Sequence, residues 1–344
     1  MTAGSFKALV VTQNPDGSFT REVCGRSIPE LAPGELLVRV AYSSLNYKDA
    51  LAAAGRRGVA RGYPLTPGID AAGIVEQTGA GQDTAREAGA GNFSPGDQVI
   101  VTGHELGISV PGGFGQYIKV PAAWALRLPP GLSMRESMII GTAGFTAALA
   151  ARTLQAHGLR PDRGPVLVTG ATGGVGSFSV AILSKLGYSV LAGTGKANQG
   201  DYLALLGARE VLGRDQLDDS SGKALLKERW AGVVDTVGGG ILSTAIRSTA
   251  YGGCIAACGN AAGAELPLTV FPFILRGVGL LGIDSANCPE ETRREVWQLL
   301  AAGWKPTLLE TMAKECLLEE LSDRMNDILQ GRITGRIVVN LEAS

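Results

Sequence analysis

Short apolar, β-branched runs separated by glycine and proline dominate the first 130 positions. Residues 7–12 (Lys-Ala-Leu-Val-Val-Thr), 35–42, 71–76 and 97–102 each read as a strand, and Pro33-Gly34, Pro95-Gly96 and Pro111-Gly-Gly113 read as turns between them. This spacing predicts a compact, barrel-like β-rich domain. Residues 80–92 are small and polar and predict an exposed loop. The pattern changes near Ser133. Residues 136–151, rich in Ala, Met, Ile and Leu, predict a helix with a break near Gly141 or Gly144.

Strands and helices then alternate. Strands are predicted at 166–169, 189–192, 210–212, 231–235 and 253–258, with helices after Gly176 and over 201–206 and 241–249. Such alternation implies right-handed crossovers and a parallel sheet covered on both faces. A last strand, 335–341, is expected to rejoin the β-rich domain. The reading is an α/β protein of two domains.

Composition limits what such a chain does. Its 344 residues are 45% hydrophobic and 18% charged, with net charge −1 and no block of like charges. That suits a globular protein and argues against a nucleic-acid surface. The N terminus carries no long apolar signal core, and no uninterrupted apolar run reaches bilayer-spanning length, so a soluble cytoplasmic protein is expected. The cysteines at 24, 254, 258, 288 and 316 are odd in number and irregular in spacing, as for reduced thiols. Cys254 and Cys258 flank a small-residue run that reads as buried strand.

The candidate chemistry begins at residues 166–177, Val-Leu-Val-Thr-Gly-Ala-Thr-Gly-Gly-Val-Gly-Ser. Strand, glycine turn and helix in this order present backbone N–H groups and a positive helix end to a dinucleotide pyrophosphate. The loop alone is a weak signal in a chain with 49 glycines. The end of the next strand adds to it. Dinucleotide sites that prefer an unphosphorylated ribose place Asp or Glu there; this chain has Thr194-Gly195-Lys196. Thr194 and Lys196 suit a 2′-phosphate, and Arg214 after the following strand adds a guanidinium. NADPH is therefore the expected cofactor, against the plainer reading of Lys196 and Arg214 as solvated charges. With two histidines, His104 and His157, and no C-x-x-C pair, no metal site is expected. There is no G-x-S-x-G elbow for nucleophilic chemistry.

Longer segments carry a family resemblance. They are 43–50 (Ser-Ser-Leu-Asn-Tyr-Lys-Asp-Ala), 67–73 (Pro-Gly-Ile-Asp-Ala-Ala-Gly), 139–147, 230–238, 251–259 and 272–276. In this order they resemble the medium-chain dehydrogenase/reductase superfamily, and within it the zinc-free, quinone oxidoreductase-like branch that includes acrylyl-CoA reductase. The resemblance implies a GroES-like β-rich barrel of residues 1–131 plus 288–344 and a Rossmann-type parallel-sheet domain of residues 132–287. Zinc-dependent relatives place ligands where this chain has Asn46-Tyr47 and Ile69-Asp70. The implied reaction is NADPH-dependent reduction of a C=C bond conjugated to a thioester, with acryloyl-CoA as leading substrate. Hydride reaches the β-carbon, and the resulting enolate needs preorganised donors before the α-carbon is protonated.

By the same resemblance Tyr47 acts near the nicotinamide, as a donor to the enolate or as packing under the cofactor, with Asn46 and Asp49 in support. Tyr63 is a secondary candidate. Thr172, Gly173, Gly174 and Val175 are expected on the pyrophosphate, and Thr194, Gly195, Lys196 and Arg214 around the adenosine phosphate. Asn260, Ile283 and Ser285 are expected at the nicotinamide half, and Arg336 is expected to reach the cofactor.

Two other functions remain in view. A quinone reductase would use the same NADPH site, although the arginines 56, 57 and 61 suit CoA phosphates as well as they suit a solvated loop. A non-enzymatic cofactor-binding protein is the other. A short-chain dehydrogenase is set aside, because none of the seven tyrosines has a lysine four residues later. A homodimer is expected through exposed strand edges around 266–270 and 279–283.

Overall fold

The structure is a computed structural model that describes residues 4–79 and 92–344. Its described elements, in chain order, begin with β1 (Ser5–Gln13), β2 (Phe19–Ser27), β3 (Glu35–Ser44), α1 (Tyr47–Ala53), β4 (Asp70–Thr78), β5 (Gln98–Thr102), β6 (Tyr117–Pro121), β7 (Ala125–Arg127) and α2 (Met134–Ala156). There follow β8 (Val166–Val168), α3 (Gly174–Lys185), β9 (Val190–Gly193), α4 (Gly200–Leu205), β10 (Glu210–Leu212), β11 (Trp230–Asp235), α5 (Gly239–Arg247), β12 (Thr249–Ala257), α6 (Phe271–Arg276), β13 (Gly279–Gly282) and α7 (Glu290–Ala301). The chain ends with β14 (Ala313–Cys316), α8 (Leu321–Leu329) and β15 (Arg336–Asn340). The loop predicted at 80–92 lies, apart from its last residue, outside the described residues.

Two compact units are present, Met1–Thr142 with Leu309–Ser344, and Ala143–Leu308. In the first, seven strands form one sheet in the order β14-β15-β3-β4-β5-β7, with β6 also on β3, and β1 and β2 form an antiparallel ribbon. The returning β15 pairs antiparallel with β3, Val338 opposite Ser44, as expected of the tail. Leu36, Val38, Val99, Phe114, Ile118 and Val339 are among the residues filling its core. The register of β3 on β4 skips a residue between Val40 and Tyr42, and at Gly73 a Cβ would lie 2.1 Å from the Arg39 carbonyl oxygen, so only glycine fits this bulge.

The second unit is a six-stranded parallel sheet ordered β10-β9-β8-β11-β12-β13. The chain reverses direction across the sheet between β8 and β11, and ligands of such sheets bind at the carboxyl ends of the strands at that point. β8 is wholly buried, as its continuous Val-Leu-Val run requires of a central strand.

The junctions between units fall later than 131 and 288. The first follows Gly141, whose backbone (φ 48°, ψ −161°) breaks α2 at the earlier of the two predicted places. The second follows α7, which stays in the parallel-sheet unit because Trp297 and Arg293 both pack on the Phe145 ring. By length and composition alone the helix α2 is long and apolar enough to cross a bilayer. Most of its apolar window (83%) is nevertheless buried within the protein.

Candidate active site

At the end of β8 the chain turns through Gly170 (φ 59°), where a Cβ would stand 2.3 Å from Thr236 Oγ1. The Gly173 N–H closes the turn on the Gly170 carbonyl at 2.9 Å. Helix α3 then starts at Gly174 with Gly173 as its N-cap; no side chain caps it, and its first turn holds no acid. Its opening amides therefore face outward with no competing carboxylate, which fits an anion on the helix axis. At Gly176 a Cβ would sit 2.2 Å from the Gly170 carbonyl oxygen, so the helix can lie against the loop only with glycine there.

A buried carboxylate fixes this loop from the next strand. Asp235, at the end of β11, accepts from Thr169 Oγ1 (2.6 Å) and from the Gly238 N–H (2.8 Å). Thr236 completes the tie through its N–H to Thr169 Oγ1 and its hydroxyl to the Thr169 carbonyl. Burial pushes the Asp235 carboxyl above its ordinary value, against these hydrogen bonds.

The strand ends beside the loop hold the other predicted cofactor residues. Thr172 and Thr194, both buried, place their hydroxyls 3.3 Å apart, and Thr194 Oγ1 accepts the Lys196 N–H at 3.1 Å. The Thr194 N–H bonds the Leu212 carbonyl, bringing the end of β9 beside β10 and thus Lys196 into the same region as the exposed Arg214. A Cβ on Gly195 would meet nothing within 4 Å. Partial burial lowers the Lys196 ammonium from its usual value. At the carboxyl ends of β12 and β13, Asn260 and Ile283 line a hollow of about 600 Å³ with Cys258 and Asp284. The hydroxyl of Ser285, just beyond Asp284, accepts from Thr146 Oγ1 at 2.8 Å.

In the first unit, Tyr47 opens α1 and is 41% exposed. Its neighbours are occupied. The Asn46 N–H donates to Asp49 Oδ2 (2.8 Å), while Asp49 Oδ1 accepts from the Ile69 N–H (2.9 Å) and Gly68 N–H (3.2 Å). Burial pushes the Asp49 carboxyl up to about 7 despite these donors. Asp70 Oδ2 accepts from Ser44 Oγ (2.7 Å), Asn46 Nδ2 (2.8 Å) and the Thr142 N–H (2.9 Å), and Oδ1 from Thr142 Oγ1 (2.6 Å). Arg336, 3% exposed, lies 3.8 Å from Asp70 and donates to Ser44 Oγ, Asn46 Oδ1 and the carbonyls of Leu45 and Ile139.

Two family descriptions match this chain, "Alcohol dehydrogenase GroES-like domain" over residues 32–130 and "Zinc-binding dehydrogenase" over residues 174–302. The putative quinone oxidoreductase YhfP of Bacillus subtilis is 46% identical over 98% of this chain and 99% of its own length. Its crystal structure with NAD bound superposes with a TM-score of 0.91, covering 98% of this chain and 100% of that one. Acrylyl-CoA reductase AcuI of Ruegeria pomeroyi is 44% identical over 98% of this chain and all of its own length. The yhdH oxidoreductase of Salmonella enterica, crystallised with NADP, is 41% identical with a TM-score of 0.90, covering 97% of this chain and 99% of that one. The chain belongs to the medium-chain dehydrogenase/reductase superfamily of oxidoreductases. It falls in the quinone oxidoreductase-like branch.

Within this superfamily the arrangement revises several roles assigned to individual residues. Asn46 and Asp49 have their side chains engaged within the unit, Asn46 with Asp70 and Arg336, and Asp49 with the N–H groups of Asn46, Gly68 and Ile69. Arg336 does not extend toward a cofactor: the guanidinium is buried among β3, α1 and β4, with every nitrogen donating inside that unit. Tyr63 donates its hydroxyl to the Ala52 carbonyl and packs edge-on against Phe19, so it braces α1. Arg61, exposed like Arg56 and Arg57, is paired with Glu105. Among the described residues, no group of three or more His, Cys, Asp or Glu side chains converges as a metal site would require. Asp70 and Asp235 are the important residues that sequence reasoning missed. Asp235 had a local signal, an acid ending a buried strand before Thr-Val-Gly-Gly.

Proposed function

We propose that this protein is an NADPH-dependent reductase of α,β-unsaturated acyl thioesters, with acryloyl-CoA, reduced to propionyl-CoA, as the leading substrate. The single observation carrying this reading is Tyr47, an exposed phenol at the start of α1 beside Asn46 and Asp49, whose own polar groups are engaged within the unit. The 44% identity to an acrylyl-CoA reductase over nearly the whole chain supports it.

When bound, the dinucleotide supplies the hydride that adds to the β-carbon. The residues of this chain do the rest. The amides of Thr172 to Val175, at and beside the glycine-capped end of α3, hold the pyrophosphate, while Thr194, Lys196 and Arg214 take the 2′-phosphate. Asn260 and Ile283 line the nicotinamide half. Tyr47 donates a hydrogen bond from its phenol to the thioester oxygen as negative charge gathers there, and the α-carbon of the enolate then takes a proton from solvent; a fixed donor of this kind is worth about a hundredfold in rate or more. Soluble, cytoplasmic homodimers complete the reading; the unpaired cysteines suit a reducing compartment.

A quinone reductase is the second reading. It is favoured by the name of the 46%-identical Bacillus protein and by the pairing of Arg61 with Glu105, which offsets one positive charge of the arginine loop. NADPH oxidation with acryloyl-CoA, crotonoyl-CoA and simple quinones, compared by kcat/KM, decides between them. Acryloyl-CoA should lead, and Tyr47→Phe should lower kcat about a hundredfold with NADPH affinity unchanged. A quinone in the lead selects the second reading; no turnover with any acceptor removes both.

A further inference from the structure

We propose that Asp70, paired with Arg336, is the positioning residue that aims Tyr47 by gripping the side chain of Asn46. This rests on the role given to Tyr47 above. The ring of Tyr47 is too exposed to be held by packing, so its placement depends on where the first residues of α1 are anchored. That anchor is Asn46, whose amide is fixed from both ends: Nδ2 donates to Asp70 Oδ2 at 2.8 Å, and Oδ1 accepts from Arg336 Nη1 at 3.2 Å. A neutral amide held between a buried anion and a buried cation has one orientation, because rotating it by half a turn would face donor to donor and acceptor to acceptor.

The same carboxylate collects the surrounding elements. Ser44 at the end of β3 donates to it, and Thr142 binds it through both N–H and hydroxyl just after the break at Gly141. A Cβ at Gly141 would lie 2.6 Å from Asp70 Oδ2 and from Ser44 Oγ, so glycine is what lets α2 approach so closely. Asp70 is thus the meeting point of β3, α1, β4, β15 and the break within α2. Buried ion pairs contribute little net stability, and their value lies in fixing one arrangement. Here the arrangement fixed is the helix start that carries the phenol.

A double-mutant cycle tests this, using the acceptor that the wild-type protein reduces best. Asp70→Asn removes the charge; Asp70→Asn with Arg336→Met removes both charges together, and it carries the test if the single variant does not fold. We expect kcat to fall at least about tenfold in either, with the Kd for NADPH within about twofold of wild type, and Tm to recover in the neutralised pair while kcat does not. In a Tyr47→Phe background the same changes should cost less than about threefold, because the group they aim is already gone. Recovery of kcat together with Tm, full activity in Asp70→Asn, or an undiminished loss in the Tyr47→Phe background would each overturn the proposal. Full activity in Tyr47→Phe alone would instead remove the role of the tyrosine on which the proposal stands.

Discussion

Asp49 illustrates how a single buried group links sequence to solution behaviour. It accepts three backbone N–H groups, yet full burial and the nearby Asp70 hold its carboxyl at about 7 rather than near 4. Below pH 4 the side chain is protonated in both folded and unfolded chains and contributes no pH dependence. Between pH 4 and 7 the unfolded chain releases this proton while the native protein keeps it, so stability falls as pH rises, by on the order of 4 kcal/mol across the window, and levels off above it. Urea unfolding at several pH values from 4.5 to 7.5 should show this decline in wild type. It should show a shallower slope in Asp49→Asn, although that variant is less stable throughout because its amide opposes N–H donors. Parallel curves would mean that Asp49 is ionised in the native state. Residues of this kind are half-legible. Asn46 and Asp49 stand three apart before an apolar run, a capping spacing visible in sequence. The partnership of Asp70 with Arg336 spans 266 positions and leaves no local trace.

At the scale of elements, each strand predicted from a short β-branched run is present, whereas β2, β6, β7 and β14 were not predicted, β6 although Ile118 and Val120 alternate into the core. Helices α1 and α7 escaped notice for opposite reasons. α1 is a seven-residue piece held by its cap, and α7 is strongly charged, burying only a narrow stripe that includes Val296, Trp297 and Leu300. The glycine loop was legible as a loop, but which glycine does what became clear only from its packing. A Cβ at Gly176 would collide with backbone atoms of Gly170 and Ala171 at 2.2 and 2.7 Å, whereas at Gly173 the nearest atom is 3.4 Å away and φ is an ordinary −78°. Gly176→Ala should therefore lose about 1–3 kcal/mol of stability, together with cofactor binding. Gly173→Ala should keep the wild-type Tm and raise the Kd for NADPH about tenfold, because its methyl stands at the cap where the pyrophosphate is proposed to lie. Calorimetry and fluorescence titration read the two effects separately. Unaltered NADPH binding in Gly173→Ala would place the pyrophosphate elsewhere.

For the whole molecule, the change of pattern near Ser133 announced two units, and the strand ending the chain announced its return to the first. Where α7 belongs could not be read, because a charged helix docks through a few aromatic contacts that only the folded unit reveals. The proposed homodimer is argued at this scale. Among the described residues β13 is an edge strand bonded only to β12, and α6 immediately before it exposes Phe271, Ile274 and Leu275, with Val270 and Leu280 also open. An unpaired edge flanked by open apolar side chains invites a second copy of the same edge, and a two-fold axis satisfies both copies at once. Sedimentation equilibrium should therefore give twice the chain mass for wild type. Ile274→Asp with Leu275→Asp should dissociate it by burying two carboxylates at a self-complementary interface, while the folded monomer retains its far-UV spectrum because neither side chain serves the core. A wild-type protein that sediments as a monomer would leave this edge without a partner. A double variant that remains dimeric would move the interface to another face of the parallel-sheet unit.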